Sequence, residues 1–181
     1  VEAELKSCGV ELVLGVKVES IEDGLKIHYA SVKDGAKGTV EGDVVLMAGG
    51  RAPNTRGIGL DTIGVKMDRK GFVEVDGLYR TNVPGVYAIG DVIGPRRIML
   101  AHMAVAEAHT AVHNILHPED RKAQRYDVVP SAIFTAPEIG DVGLSEAQAK
   151  QQGFAVKTSV FQFRELGKAQ AMGELAGLFK L

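Results

Sequence analysis

Two short runs of apolar residues, each stopped by glycine, constrain the fold of this chain most strongly. Residues 43–48 read DVVLMA and precede two glycines, and residues 86–89 read VYAI and precede Gly90 and Asp91. A strand without polar alternation is typical of a parallel sheet that helices cover on both faces. The two runs therefore predict an α/β fold whose strands end at the sheet edge where such folds bind ligands.

Apolar residues alternate with polar ones through much of the first 50 residues. This pattern predicts strands over residues 10–21 and 25–29, joined by a turn at Asp23 and Gly24 and followed by a loop at 33–38. Residues 1–6 have the pattern of a short amphipathic helix, and Gly9 is a suitable stop for it. The beginning of the chain is therefore predicted to be rich in β-structure.

The apolar period becomes helical after Met99 and stays so to Leu116, where Pro118 closes the segment. The spacing predicts a helix over these residues with one buried stripe. The stripe consists of Leu100, Ala104, Ala108, Ala111, Val112 and Ile115.

The last third of the chain has a mixed α+β pattern. Strands are predicted over residues 128–135, from residue 139, and over 154–163 and 177–181. Ser145 and Gln148 have the spacing of a capping box, so a short helix is predicted between strands, with Gly153 at its end.

Composition excludes several classes of function. The 181 residues include 21 Lys+Arg and 23 Asp+Glu, and a net charge of −2 argues against a dedicated nucleic-acid binder. No apolar run approaches the roughly 18 residues of a membrane-spanning helix. Cys8 is the single cysteine, so no internal disulfide forms and a reducing, cytoplasmic setting is expected.

The residues after the second apolar run suit a polyhydroxylated ligand. Gly90 lets the backbone approach a ligand because it lacks a Cβ, and Asp91 offers a carboxylate that accepts hydrogen bonds from sugar or ribityl hydroxyls. The helix near Met99 directs free N–H groups and the positive end of its dipole toward the same crevice. Such a donor-rich end favours the anionic pyrimidine ring of a reduced flavin.

Four ordered blocks of sequence resemble one enzyme family. The run TNVPGVYAIGD at 81–91 is similar to the second FAD-binding motif of the flavoprotein disulfide reductases. AGGRAPN at 48–54 precedes it and MLAH at 99–102 follows it, as in that family. VPSAIFTAPEIGDVGLSE at 129–146 resembles the start of its dimerisation domain. Order and spacing are most like the dihydrolipoyl dehydrogenase branch.

The resemblance implies a fold with parts of three domains. Residues 1–50 would form the C-terminal half of an NAD(P)-binding domain, and residues 51–125 the returning segment of an FAD-binding domain. Residues 126–181 would form the N-terminal part of an interface domain. The expected architecture is therefore a partial two-dinucleotide-binding-domain flavoprotein fold with an incomplete dimerisation domain.

The resemblance also implies cofactor-binding residues. Asp91 would bind the ribityl chain of FAD, and Gly50 and Val18 would contact NAD(H), Val18 through its backbone near the adenine. Four residues would line the isoalloxazine ring: Met99, Leu100, Ala101 and His102. No acid/base role is assigned to His102, and neither a catalytic residue nor a metal ligand is predicted in the chain.

Several motifs of the family do not occur in the sequence. These are the N-terminal GxGxxG, the glycine motif of the NAD domain, the redox cysteine pair and the C-terminal His–Glu pair. Because Val1 is not an initiator methionine, the chain is interpreted as a fragment. We expect the fragment alone to be inactive and to bind FAD weakly or not at all.

For the parent enzyme, the resemblance implies electron transfer through FAD between a small dithiol such as dihydrolipoamide and NAD(H). It also implies a homodimer, with a 2-oxo acid dehydrogenase complex as a candidate assembly. Two alternatives stay open. One is a soluble pyridine nucleotide transhydrogenase or another FAD/NAD(P) oxidoreductase without the cysteine pair, and the other is a stand-alone binding or assembly module.

Two clusters of side chains invite a functional reading that the sequence does not favour. His109, His113 and His117 recur on one helical face, and the spacing is more typical of a solvated face than of a metal site. Arg96 and Arg97 form a basic pair, for which a solvated loop is the expectation.

Overall fold

The computed structural model describes residues 2–181, so Val1 of the predicted first helix lies outside the described residues. The chain divides into two compact units, Val1–Gly50 and Arg51–Leu181. The further division at residue 125 stays a prediction. No helix among residues 2–181 is both long and apolar enough to traverse a lipid bilayer.

The first unit is a short helix followed by an antiparallel meander. The helix ends at Ser7. Gly9 follows with a φ of 81°, a backbone conformation that residues with a Cβ rarely adopt. Asp23 and Gly24 have φ of 49° and 73°, and this left-handed pair makes the predicted tight turn between the first two strands. The elements are α1 (Glu2–Ser7), β1 (Val16–Glu22), β2 (Lys26–Ser31) and β3 (Lys37–Glu41), with sheet order β1-β2-β3.

The strand predicted over residues 43–48 is wrong for this structure. The segment has no regular secondary structure, and Val44 and Leu46 are 85% and 86% exposed. A strand requires neighbours for its backbone hydrogen bonds, and β1, β2 and β3 pair only with one another within the described residues. Residues 10–14, also predicted as a strand, are irregular for the same reason.

The second unit begins with a long segment held by turns and single bridges. Residues 86–89 form no ladder strand, since Tyr87 pairs with Arg80 only through an isolated bridge. The apolar run is nevertheless used in packing, because its side chains lie against the buried Tyr79 and Ile93. The predicted burial is therefore confirmed in part, whereas the predicted strand is not.

The long helix of the second unit, α2 (Ala101–Leu116), confirms the predicted helix and ends before Pro118. Its buried face differs from the predicted stripe, because Val112 and Ile115 are exposed. The buried residues are Met103, Glu107, Ala111 and Asn114. The apolar pattern predicts the wrong face because two of the four buried residues, Glu107 and Asn114, are polar and have hydrogen-bond partners inside the protein.

The remainder of the second unit contains two small antiparallel strand pairs and two short helices. Ser145 and Gln148 form the predicted capping box, in which the backbone N–H of Gln148 donates to Ser145 Oγ at 3.3 Å and the backbone N–H of Ser145 donates to Gln148 Oε1 at 2.9 Å. The predicted strand over 154–163 is confirmed only in its last part. The elements are β4 (Ser131–Ile133), β5 (Ile139–Asp141), α3 (Glu146–Gln151), β6 (Val160–Gln162), α4 (Gly167–Met172) and β7 (Leu178–Lys180). β4 pairs with β5, and β6 pairs with β7.

Candidate functional site

The turn after the VYAI run packs tightly against α2. Gly90 begins a short 3-10 helix, Gly90–Ile93, with φ of 71°. A Cβ at Gly90 would lie 3.1 Å from the Cβ of Ala104, in the first turn of α2. Positive φ and this close approach together require glycine. The turn that carries Asp91 is therefore fixed against the start of α2.

The Asp91 carboxylate is held by an arginine of the same unit. Arg51 Nη1 donates a hydrogen bond to Asp91 Oδ2 at 2.5 Å. The Asp91 side chain is 39% exposed, and its Oδ1 accepts no hydrogen bond from the described residues. One carboxylate oxygen is thus oriented by a cation, and the other can accept a hydrogen bond from a ligand hydroxyl.

The start of α2 is open to a ligand. Its N-cap, Leu100, has extended backbone, and no side chain caps the helix there. The first N–H groups of a helix lack intrahelical partners and form the positive end of the dipole. Ala101 and His102 are exposed at this end, whereas Met99 and Leu100 are half-buried. The structure therefore brings the Asp91 turn and residues 99–102 to the same end of α2.

These residues fit the group that the sequence predicts. A ribityl chain needs a carboxylate acceptor, and a flavin pyrimidine ring is favoured by donors and positive potential. Asp91 and the uncapped start of α2 supply both. Asp91 does not line the cavity of about 100 Å³ that Phe72, Ile93 and Arg97 help to form.

The two residues predicted to bind NAD lie in the first unit. Gly50 has φ of 108° and is exposed at the end of the irregular 43–48 segment. Val18 lies in β1, opposite Tyr29 of β2. Their roles in NAD binding stay predictions.

A buried carboxylate that the sequence analysis did not single out lies beneath the turn. Glu107 is 1% exposed. Its Oε2 accepts the Gly90 N–H at 2.6 Å, and its Oε1 accepts the Tyr126 hydroxyl at 2.6 Å. The sequence offers one signal that Glu107 is buried, which is its four-residue spacing from Met103 and from Ala111. That signal is weak, because a glutamate in an amphipathic helix is ordinarily predicted to face solvent.

Two tyrosines extend the contact of Glu107 into the core. The Tyr79 and Tyr126 hydroxyl oxygens are 2.7 Å apart. Because the Tyr126 hydroxyl has one hydrogen and donates it in the hydrogen bond to Glu107, the Tyr79 hydroxyl is the donor to Tyr126. Burial, followed by the hydrogen bond to Glu107, raises the pKa of Tyr126 well above its usual value, and burial also raises the pKa of Tyr79. Both hydroxyls therefore stay protonated donors at physiological pH.

One arginine of the basic pair and two of the three histidines have local partners. Arg97 is not simply solvated, because its guanidinium carbon lies 5.0 Å from the centre of the Tyr126 ring. His113 Nε2 lies 2.7 Å from the Asp120 carbonyl oxygen, and His117 lies 3.4 Å from a Glu119 carboxylate oxygen. Among residues 2–181, no three His, Cys, Asp or Glu side chains are grouped as a metal site would require.

Comparison with known proteins places the chain in a family. The profile described as "Pyridine nucleotide-disulphide oxidoreductase" matches residues 1–108, and its dimerisation-domain counterpart matches residues 129–181. A dihydrolipoyl dehydrogenase of Chlamydia muridarum is 44% identical over 171 residues, which are 93% of this chain and 35% of that protein. One of Mycobacterium leprae is 38% identical over 100% of this chain and 38% of that protein.

Solved structures agree with this assignment. LpdA from Mycobacterium tuberculosis superposes with a TM-score of 0.81 at 30% identity, over 99% of this chain and 38% of that one. The HOCl-induced flavoprotein disulfide reductase RclA from Escherichia coli, at 24% identity and a TM-score of 0.80, shares the fold and covers 99% of this chain and 40% of that one. The chain thus spans less than half the length of these relatives. By its two profile matches and the order of its motifs, it belongs to the pyridine nucleotide-disulphide oxidoreductase family.

Proposed function

We propose that the protein to which this chain belongs is an FAD-dependent oxidoreductase of the dihydrolipoyl dehydrogenase type. It would transfer electrons between a small dithiol such as dihydrolipoamide and NAD(H). The observation that carries the proposal is the half-exposed Asp91 carboxylate, held by Arg51 at the open start of α2. The name dihydrolipoyl dehydrogenase, which two relatives carry, supports the dithiol as a substrate, and the family description, which mentions a pyridine nucleotide, supports the nicotinamide.

Each part of the turn has a distinct role in this proposal. Asp91 accepts hydrogen bonds from the ribityl hydroxyls, and Arg51 fixes the carboxylate plane through Oδ2. The N–H groups at the start of α2 stabilise negative charge on the ring that residues 99–102 line. Bound FAD supplies the two-electron chemistry that links dithiol oxidation to nicotinamide reduction.

The remaining predictions extend the proposal. Gly50 and Val18 would contact NAD(H) through backbone, and a homodimer would form through the part of the chain from residue 129 onward. The protein would be cytoplasmic, with a 2-oxo acid dehydrogenase complex as the candidate assembly. The 181-residue chain by itself would be inactive, since no catalytic residue is assigned to it.

The test is a pair of assays on the full-length protein that contains this chain. We expect a visible flavin spectrum and NAD⁺-dependent oxidation of dihydrolipoamide. A flavoprotein that exchanges hydride between NADH and NADP⁺ but does not oxidise dihydrolipoamide would instead identify a transhydrogenase. A protein that has neither flavin nor either activity would support a binding or assembly module.

A further inference from the structure

An extended segment after α2 runs back along the helix and is bonded to it at regular intervals. The contacts involve Glu107, Thr110 and Asn114 on the helix and alternate residues from Lys122 on the segment. Three rungs form what we call the polar ladder: the Asn114 amide with both backbone groups of Lys122 at 2.7 and 2.8 Å, Thr110 Oγ1 with Gln124 Oε1 at 3.1 Å, and the Tyr126 hydroxyl with Glu107 Oε1 at 2.6 Å.

The spacing of the ladder follows from the two backbones. Along α2, Glu107 to Asn114 spans about 10 Å at a rise of about 1.5 Å per residue. Along the extended segment, Lys122 to Tyr126 spans about 13 Å at about 3.3 Å per residue. The similar lengths allow each second residue of the segment to meet the helix. A slip of one residue would turn the Gln124 and Tyr126 side chains away from the helix.

The end of the ladder is the part that buries a charge. A carboxylate removed from water is costly unless both oxygens have donors. Glu107 has the Gly90 N–H on one oxygen and the Tyr126 hydroxyl on the other. Loss of either donor leaves an unsatisfied buried oxygen, so the positions of Gly90 and Tyr126 depend on each other through one side chain.

We propose that Glu107 is a positioning residue that couples the Gly90–Asp91 turn to the segment leading into the dimerisation domain. Tyr126 lies just before residue 129, where the match to that domain begins. Displacement of the segment would release Glu107, loosen the Gly90 amide and so move the Asp91 carboxylate. The flavin consequence rests on the proposed function, whereas the coupling itself rests on the hydrogen bonds.

The first test uses variants of the full-length protein. Tyr126→Phe removes only the hydroxyl, and we expect the Kd for FAD to rise about fivefold, the size of effect that loss of one ordinary hydrogen bond produces. Tyr29→Phe, in β2, is the matched control and should leave the Kd unchanged. Glu107→Leu should raise the Kd more. Glu107→Gln should raise the Kd less than Glu107→Leu does. Its amide oxygen can still accept from the Gly90 N–H, whereas its NH2 group would face Tyr126 and leave one proton of the Tyr79–Tyr126 pair without an acceptor.

The second test does not depend on flavin or on the folding of Glu107→Leu. Hydrogen exchange at the Gly90 amide, measured in FAD-free full-length protein, should be faster in Tyr126→Phe than in Tyr29→Phe. Equal exchange rates in these two variants would overturn the coupling, and an unchanged Kd for FAD in Tyr126→Phe would overturn its consequence for flavin binding. If the Gly90 amide exchanges faster in Tyr126→Phe than in Tyr29→Phe but the wild-type full-length protein does not bind FAD when FAD is added, the coupling is supported and the proposed function is contradicted.

Discussion

The ion pair of Arg51 and Asp91 orients the carboxylate that we propose as the flavin ligand, and it contributes little to folding. Arg51 is exposed, and an exposed pair of this kind is worth about 0–1 kcal/mol. Its chemical value is that the arginine occupies one carboxylate oxygen and leaves the other directed outward. Substitutions at Arg51 should therefore separate stability from ligand affinity.

We expect Arg51→Ala in the full-length protein to raise the Kd for FAD several-fold while the melting temperature stays within about 2 °C. Titration with FAD and a thermal melt measure the two quantities. Arg56→Ala, an exposed arginine of the same unit, is the control and should change neither. A large drop in melting temperature with unchanged FAD affinity would contradict the assigned role.

Gly90 should be intolerant of any side chain. We expect Gly90→Ala to destabilise the full-length protein by about 1–3 kcal/mol. The backbone there has a φ of 71°, which a residue with a Cβ rarely adopts, and the new Cβ would lie 3.1 Å from the Cβ of Ala104. Gly77→Ala is the matched control, since a Cβ there has nothing within 4 Å and φ is ordinary. Denaturant unfolding measures the stability of both variants. Equal unfolding midpoints would contradict the requirement for glycine at position 90.

At the scale of elements, local chemical signals were the reliable ones. The Asp23–Gly24 turn, the capping box at Ser145 and the stop at Pro118 were all predicted, because each depends on residues close in sequence. The strand over 43–48 depended on partners elsewhere, and the sequence pattern could not show that they are missing from the described residues. The Asp91 turn was predicted through its motif, whereas Glu107 was not, because a buried glutamate is indistinguishable from a solvated one in an amphipathic pattern.

The α3 helix provides a pH-dependent prediction. Hydrogen bonds from Lys150 and Lys180 lower the pKa of Glu146 from 4.5 to about 2. The folded state therefore binds fewer protons than the unfolded state between these values, and the contribution of Glu146 is lost as pH falls from about 4.5 to about 2. We expect Glu146→Gln to be less stable than wild type at neutral pH, with the difference vanishing near pH 2.

Thermal melts of the full-length protein at several pH values measure this convergence. Glu138→Gln, an exposed glutamate of the same unit, should follow the wild-type curve throughout. A constant difference between Glu146→Gln and wild type across the acid range would contradict the assigned ion pairs.

At the scale of the whole molecule, we propose that this chain supplies only part of the binding sites for FAD and NAD(H). It contains one cysteine, the exposed Cys8, so a cysteine pair cannot form within it. We expect the 181-residue chain alone to show no NADH-dependent reduction of lipoamide, because that reaction needs a dithiol–disulfide couple. The full-length protein is the positive control in the same assay, and turnover by the isolated chain would refute the expectation.

The most direct test of the account is the affinity of the full-length protein for FAD after Asp91→Asn. The amide keeps the size of the side chain but loses the charge that strengthens its hydrogen bonds. We predict a rise in Kd for FAD of about 10- to 100-fold, with Asp61→Asn, an exposed aspartate of the same unit, remaining at the wild-type value. Wild-type FAD affinity in Asp91→Asn would contradict the claim that this carboxylate binds the flavin.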